Sequence, residues 1–229
     1  MLADDVINEF LQLLKLTYPA VEGLQDPLLG QKRHFNVMKN KPFVQVLHTA
    51  SLHWIAISTI GCTEGEVKLL DSLYSSVNEH TRRQICDLLM SDSHEIKIKV
   101  LSVQQQTNSV DCGPFALAFI TSEILGENVS EISFDEINLR NHMRACFEKG
   151  KVTAFPKCEK NVKRCKENNI GLTVFCSCRQ FWTKKDLKEK GKAMAECTNC
   201  FKWFHEKCEN IPRRVFTKKN INWFCSKCK

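Results

Sequence analysis

No apolar run in these 229 residues approaches the ~20 consecutive apolar positions needed to cross a bilayer. A secretory leader is missing as well: Met1 to Phe10 carries Asp4, Asp5 and Glu9 where a leader would be basic. These absences argue against a membrane partner and lead us to expect a nuclear or cytosolic setting, where thiols stay reduced. The thirteen cysteines are then expected to serve catalysis or metal binding rather than disulfides. Cysteine is scarce in the first two thirds of the chain, with four before residue 150, whereas seven crowd between Cys176 and Cys228. Acidic residues are scarce in the opposite part. Residues 1–150 hold 13 Lys and Arg against 19 Asp and Glu, a net of −6, and residues 151–229 hold 20 against 7, a net of +13; together these give the chain's +7. An acidic part beside a basic part implies two tasks, with an anionic partner near the second.

The length suits one mid-sized domain and one small one. We expect a first domain over residues 1–149, a basic linker over 150–172 and a metal module over 173–229. Asp4 or Asp5 is placed to cap a helix to Leu16, with Val6, Ile7, Phe10, Leu13 and Leu14 on one face. Pro19, Gly23, Pro27 and Gly30 break the next stretch into loop. Phe43 to Leu47, His53 to Ser58 and Val67 to Leu70 read as strands, Thr81 to Met90 as a helix, and Ile96 to Val100 as a strand with one wet face. A helix beginning near Cys112 and one from Phe134 to Phe147 complete a mixed α+β order. Lys151, Lys157, Lys163, Arg164 and Lys166, with few large apolar neighbours, read as a solvated linker in which Cys158 and Cys165 are free thiols.

Chemistry points first to Gln106-Thr107-Asn108-Ser109-Val110-Asp111-Cys112-Gly113. This polar octet runs into the apolar Pro114 to Ile120, so Cys112 falls in the first turn of a buried helix. Unpaired N–H groups and the helix dipole there favour a thiolate. A reactive cysteine also needs a base, an orienter and an oxyanion donor. His53 begins one apolar strand and Asp71 ends another, so the two can meet side by side in a sheet. A structural cysteine, a core histidine and a turn-forming aspartate are the alternative readings of the same residues.

The order His53-Trp54, Asp71 in Leu-Leu-Asp-Ser-Leu, and Gln106 six residues before Cys112 in Asp-Cys-Gly resembles the cysteine proteases that process SUMO and related ubiquitin-like proteins. The opening Leu2-Ala3-Asp4-Asp5-Val6-Ile7-Asn8 is similar to that family's first helix. The resemblance implies a papain-like α+β domain with Cys112 as nucleophile, His53 as general base, Asp71 as its orienter and Gln106 as oxyanion donor. It also implies that Trp54 binds the substrate's Gly-Gly tail. The family places a second tryptophan just before Leu-x-Asp; here that position is Met1. Either the chain begins downstream of the family's start or one wall of the Gly-Gly tunnel is gone.

Downstream, the pairs Cys176-x-Cys178, Cys197-x-x-Cys200, His205-x-x-Cys208 and Cys225-x-x-Cys228 make eight ligands for two structural zinc ions. So short a segment, poor in aliphatics, needs metal to fold. The order of four cysteines, one histidine and three cysteines, with Trp223 two residues before Cys225, resembles a PHD finger; a RING finger is the rival. The PHD resemblance implies cross-braced sites, Cys176, Cys178, His205 and Cys208 in one, and Cys197, Cys200, Cys225 and Cys228 in the other. It also implies a methyl-lysine cage at Phe175, Met194 and Trp203, although the first and last of these also read as a small core. Sparse acids (Glu196, Glu206, Glu209) among many lysines argue against tight binding of a histone tail and favour nucleic-acid contact.

The expected function is therefore a cysteine peptidase acting on a ubiquitin-like modifier or its conjugates, brought to chromatin by its zinc module. Two alternatives are a mobile-element-derived protease with a substrate lacking Gly-Gly, and a non-enzymatic chromatin reader carrying a protease relic.

Overall fold

In the computed structural model the described residues are 1–38, 41–74, 76–89, 95–159, 161–181, 193–218 and 220–229. The chain divides into two compact units, Met1–Gly171 and Leu172–Lys229.

The first unit is built around one helix. α4 (Cys112–Ile124) is apolar on all sides and buried from Cys112 to Glu123, as expected of a helix with no solvent face. Pro114 is tolerated because first-turn N–H groups have no intrahelical partner. α4 packs on the sheet strands β2 (Phe43–Thr49) and β3 (His53–Ser58), with α1 (Asp4–Thr17) and α5 (Leu139–Lys149) against its flanks. Every residue of β2 and β3 is buried. This accounts for their largely apolar sequence in place of alternation, with Gln45 of β2 buried but bonded to Gln25.

β1 (Glu22–Gly23), β2, β3, β4 (Glu66–Leu70) and β5 (Glu95–Val100) lie in that order. β2–β3 and β3–β4 are antiparallel; β1–β2 and β4–β5 are parallel. The register pairs Thr49 with His53 and Ala56 with Leu70, so His53 starts its strand beside the point where β4 runs out into Asp71. α3 (Glu79–Leu88) packs against β2. The rotation of α4 is fixed at its far end by Glu123. This buried carboxylate accepts from Ser58 Oγ at 2.7 Å and Lys68 Nζ at 2.9 Å, so the charge is paired rather than stranded.

The strands at His53–Ser58, 43–49, 66–70 and 95–100 lie where the sequence places them. Several expectations are corrected. The cap of α1 is Ala3, without a side-chain bond; Asp4 and Asp5 lie in the first turn, where they oppose the helix dipole's positive end. The stretch read as loop contains β1 and the one-turn α2 (Leu28–Gln31). α3 starts earlier than Thr81, capped by Asn78, whose Oδ1 accepts from Thr81 N at 2.8 Å; its expected end, Met90, lies outside the described residues. The last helix does not begin at Phe134: a 3-10 turn, Glu136–Asn138, precedes α5.

The main correction concerns residues 150–171, expected as a solvated linker. Val152 and Phe155 are buried, and the Phe155 ring meets Phe10 at 5.9 Å. Cys158 N donates to Ser133 O, Gln105 N to Lys163 O, and Lys157 pairs with Glu127 at 2.6 Å. Lys151, Lys157, Lys163 and Lys166 remain at the surface, Arg164 turns inward to donate to Ile132 O at 2.7 Å, and the backbone is used as a strap, which composition alone does not reveal. Cys158 and Cys165 belong to no metal cluster among the described residues; their thiols meet the carbonyls of Phe134 and Leu101.

In the second unit, β8 (Met194–Glu196) and β9 (Trp203–His205) form a hairpin pairing Ala195 with Phe204. A small core of Ala195, Cys197, Phe204, Ile211, Trp223 and Cys225 lies beneath it. β6 (Asn168–Phe175) contains the division between the units and pairs with β7 (Gln180–Phe181); α6 (Arg214–Thr217) is a single turn.

Phe119 lies between Phe115 and Phe134, with both ring centroids at 5.8 Å. Phe119→Ala is expected to destabilise the first unit by about 3–5 kcal/mol, read by urea unfolding. A loss under about 1 kcal/mol would show that α4 is not the organising element.

Candidate active site and metal centres

Strand pairing brings His53 and Asp71 together. His53 Nε2 lies 2.7 Å from Asp71 Oδ1, and both side chains are almost fully buried. The same carboxylate oxygen accepts from the backbone N–H of Leu73 at 2.8 Å and of Tyr74 at 3.0 Å. Asp71 is thus a carboxylate held by its own turn and aimed at the imidazole. With Nε2 engaged, Nδ1 is left for the other neighbour, the Cys112 thiol, which hydrogen-bonds to His53.

The electrostatics follow from this sandwich. Burial alone would lower the His53 pKa, but hydrogen bonds to Asp71 and Cys112, and the charge of both, outweigh it and raise it to about 9. Burial likewise disfavours the Cys112 thiolate. The bond to His53, the backbone N–H groups of Trp54 and Gly113 and the positive imidazolium nevertheless bring its pKa below the ordinary thiol range. Cys112 opens α4, so the helix terminus acts in the same direction.

Gln106 lies in the loop leading into α4. Ser72 Oγ donates to its Oε1 at 2.7 Å, and its backbone N–H donates to Ser72 O at 2.8 Å. One Nε2 hydrogen bonds the Asn108 carbonyl, which leaves the second amide proton for a ligand.

Trp54 is fully buried and its Nε1–H donates to Leu2 O at 3.1 Å. Met1 is 45% exposed, and Leu2 packs so close to Gly113 that a Cβ there would lie 3.0 Å from its Cδ1. Glycine after the cysteine therefore lets the N-terminal segment approach. One neighbour went unread in the sequence: the Tyr74 ring stands edge-on to His53 at 5.3 Å. Only its place three residues after Asp71 hinted at it.

All eight sequence-derived metal ligands fall into two groups, Cys176, Cys178, His205 and Cys208, and Cys197, Cys200, Cys225 and Cys228, with ligand atoms within 4.8 Å of one another. In a tetrahedral zinc–thiolate site, bonds of about 2.3 Å put sulfurs about 3.8 Å apart. Cys200 and Cys225 Sγ are 3.9 Å apart, and His205 Nδ1 faces Cys178 Sγ at 3.3 Å. The residues fit zinc and interleave as expected. Glu209, one of the sparse acids of this module, has internal work: its carboxylate accepts from Ser226 N at 2.9 Å and from Ser177 Oγ at 3.4 Å.

Trp203 is 44% exposed and outside the small core, so the reading of this side chain as core is corrected. Strand pairing puts Met194 and Trp203 on the face of β8–β9 opposite Ala195 and Phe204. Cys176 N donates to Trp203 O at 2.8 Å, which brings half-buried Phe175 alongside.

The sequence matches the Ulp1 protease family, C-terminal catalytic domain, over residues 30–162 and the PHD-finger family over residues 176–228. No curated protein matches the chain. Among solved structures, the chain resembles the C-terminal Ulp1 protease domain in complex with Smt3, the yeast ortholog of SUMO. That match has a TM-score of 0.51 and 15% identity, over 65% of this chain and 77% of the other. A structure of the SUMO protease Ulp1 with its catalytic cysteine oxidised to a sulfonic acid gives the same score and identity over 66% and 79%. At such identity these likenesses establish the fold. The chain belongs to the Ulp1 family of cysteine proteases and carries a PHD finger at its C-terminal end.

Proposed function

We propose that the protein is a nuclear cysteine peptidase that hydrolyses the bond after the C-terminal tail of a SUMO-like modifier, and that its PHD finger directs it to chromatin. The observation carrying this reading is the buried Asp71–His53–Cys112 chain, with Nε2 of the imidazole on the carboxylate and the thiol hydrogen-bonded to the same ring. The Smt3 complex of a structural relative supports the choice of modifier.

In this mechanism the Cys112 thiolate attacks the scissile carbonyl carbon and a C–S bond forms. The oxyanion takes a hydrogen bond from the free Gln106 Nε2–H. Imidazolium His53 protonates the departing amine as the C–N bond breaks, leaving a thioester. His53, now neutral, takes a proton from water, whose oxygen attacks the thioester and releases the acid. Asp71 keeps Nε2 protonated throughout, so Nδ1 performs both transfers. Trp54, whose ring is buried, is proposed to support the wall for the modifier's tail from within. Two zinc ions held by the eight named ligands would supply folding energy to the finger and take no part in hydrolysis. The exposed Trp203 face, with Phe175 and Met194, is proposed to receive a methylated lysine of a histone tail.

C-terminally electrophilic ubiquitin-like probes test the reading. A SUMO probe is expected to label wild type, and Cys112→Ser is expected to remain unlabelled with both zinc sites filled. Folded protein that reacts with none of the panel would overturn the proposal.

The pH dependence has a definite sign. Turnover needs thiolate and imidazolium together, so it is expected to begin below the ordinary thiol range and to fall as pH rises through about 9. Asp71→Asn removes the main influence holding His53 charged and is expected to move the basic limb to lower pH. A rate still rising above that limb would contradict the ion pair.

Cys197→Ser is expected to remove one zinc and unfold the finger, while Cys112 labelling stays within about twofold of wild type. Zinc analysis and hydrogen exchange read the first effect. Loss of labelling with the finger would show that the first unit does not stand on its own.

A further inference from the structure

The loop between Gln106 and Cys112 has almost no apolar anchor: Thr107, Asn108, Ser109 and Val110 are all exposed. A mobile loop there would carry the oxyanion donor with it. Polar contacts from an element far along the chain hold it instead. Glu136, on the 3-10 turn before α5, accepts from Thr107 N at 2.8 Å through Oε1 and from Thr107 Oγ1 at 2.9 Å through Oε2. Its Oε1 also accepts from Asn108 Nδ2 at 3.1 Å. Asn108 in turn uses its carbonyl to hold Gln106 Nε2 and its Oδ1 to accept from Val110 N and Asp111 N. At the other end of the loop, Arg140 Nε donates to Asp111 Oδ1 at 2.7 Å and Arg140 Nη2 to Val110 O at 2.9 Å. Asn108 Nδ2 bridges the two halves, donating to Asp111 Oδ2 at 2.7 Å.

We propose that Glu136 and Arg140 are positioning residues for hydrolysis: together they clamp the loop so that Gln106 presents its free amide proton at the oxyanion while Cys112 stays on its helix. Neither side chain touches the reacting atoms. Glu136 acts through Thr107 and Asn108 on Gln106, and Arg140 acts through Asp111 and Val110 on the residue preceding the nucleophile. The division of labour follows from the contacts. Cys112 has its own support in His53, Trp54 N–H and α4, so loosening the Glu136 half displaces the donor and spares the thiolate. Misplacement of a donor by about an ångström costs up to roughly a hundredfold in rate. The proposal rests on the peptidase reading given above.

Two reactions at Cys112 separate the effects, and neither depends on the identity of the modifier. Alkylation by iodoacetamide is a displacement without an oxyanion and reports the thiolate. Acylation by p-nitrophenyl acetate passes through a tetrahedral oxyanion and reports the thiolate and the donor together. In the full chain, Glu136→Ala is expected to lower the acylation rate about tenfold and leave alkylation within about twofold. Glu136→Gln, which keeps one acceptor for Thr107 N, is expected to recover most of the loss. Gln106→Ala is expected to reproduce the Glu136→Ala phenotype, and the double variant is expected to be no slower than Gln106→Ala alone. Arg140→Lys is expected to fall between wild type and Arg140→Ala in acylation.

An unchanged acylation rate in Glu136→Ala would overturn the proposal. So would a parallel fall in acylation and alkylation, which marks a merely structural role, or additive losses in the double variant. Failure of the peptidase reading itself would look different: wild type would then be acylated no faster than Cys112→Ala.

Discussion

An imidazole held between a carboxylate and a sulfur is the contact on which the first unit depends. The pair His53–Asp71 is buried, and a buried charge is tolerated only when its partners are complete. Asp71 meets that condition with two backbone N–H groups of its own turn, and His53 meets it with Asp71 on one side and Cys112 on the other. Each partner comes from a different element. β3 brings the histidine, the end of β4 the aspartate and the first turn of α4 the cysteine. The sheet register and the rotation of α4 must therefore both be right before any of the three is stable as an ion. The apolar wrapping of α4 and the Glu123 anchor at its far end are the physical means by which that rotation is set.

The chemistry and the fold thus make the same demand. A helix buried on all sides cannot slide, and the Gly113 N–H of its first turn supports the sulfur. The price is a polar loop, Thr107 to Val110, that leads into it without hydrophobic support. The loop's geometry is recovered from one carboxylate, Glu136 on the 3-10 turn, and one guanidinium, Arg140 on α5. The second unit solves a smaller problem in a different way. Among the described residues its buried apolar core is six side chains, two of them cysteines, so metal ligation is its main source of cohesion.

Much of this was legible in the residues. His53, Asp71 and Cys112 could be assigned because each falls at a strand or helix end, where local sequence fixes position. The eight metal ligands could be assigned because paired spacing is itself the geometry of a tetrahedral corner. Other features were hidden for physical reasons. Glu136 and Arg140 look like ordinary surface charges until folding puts them against a loop about thirty residues away. The strap over residues 150–171 looks solvated because Lys151, Lys157, Lys163 and Lys166 are exposed, while its stability comes from backbone hydrogen bonds and from Val152 and Phe155. Trp203 could be core or surface by type; only the alternation of β9, which turns Phe204 inward, sends Trp203 outward.

Direct titration of the Cys112 sulfur tests the central claim. Thiolate ultraviolet absorbance, taken as wild type minus Cys112→Ser across pH, isolates this one group among thirteen cysteines. The thiolate is expected to form below the ~8.5 of free cysteine, and His53→Ala is expected to move its formation upward. A sulfur titrating at or above that value, indifferent to His53, would contradict it.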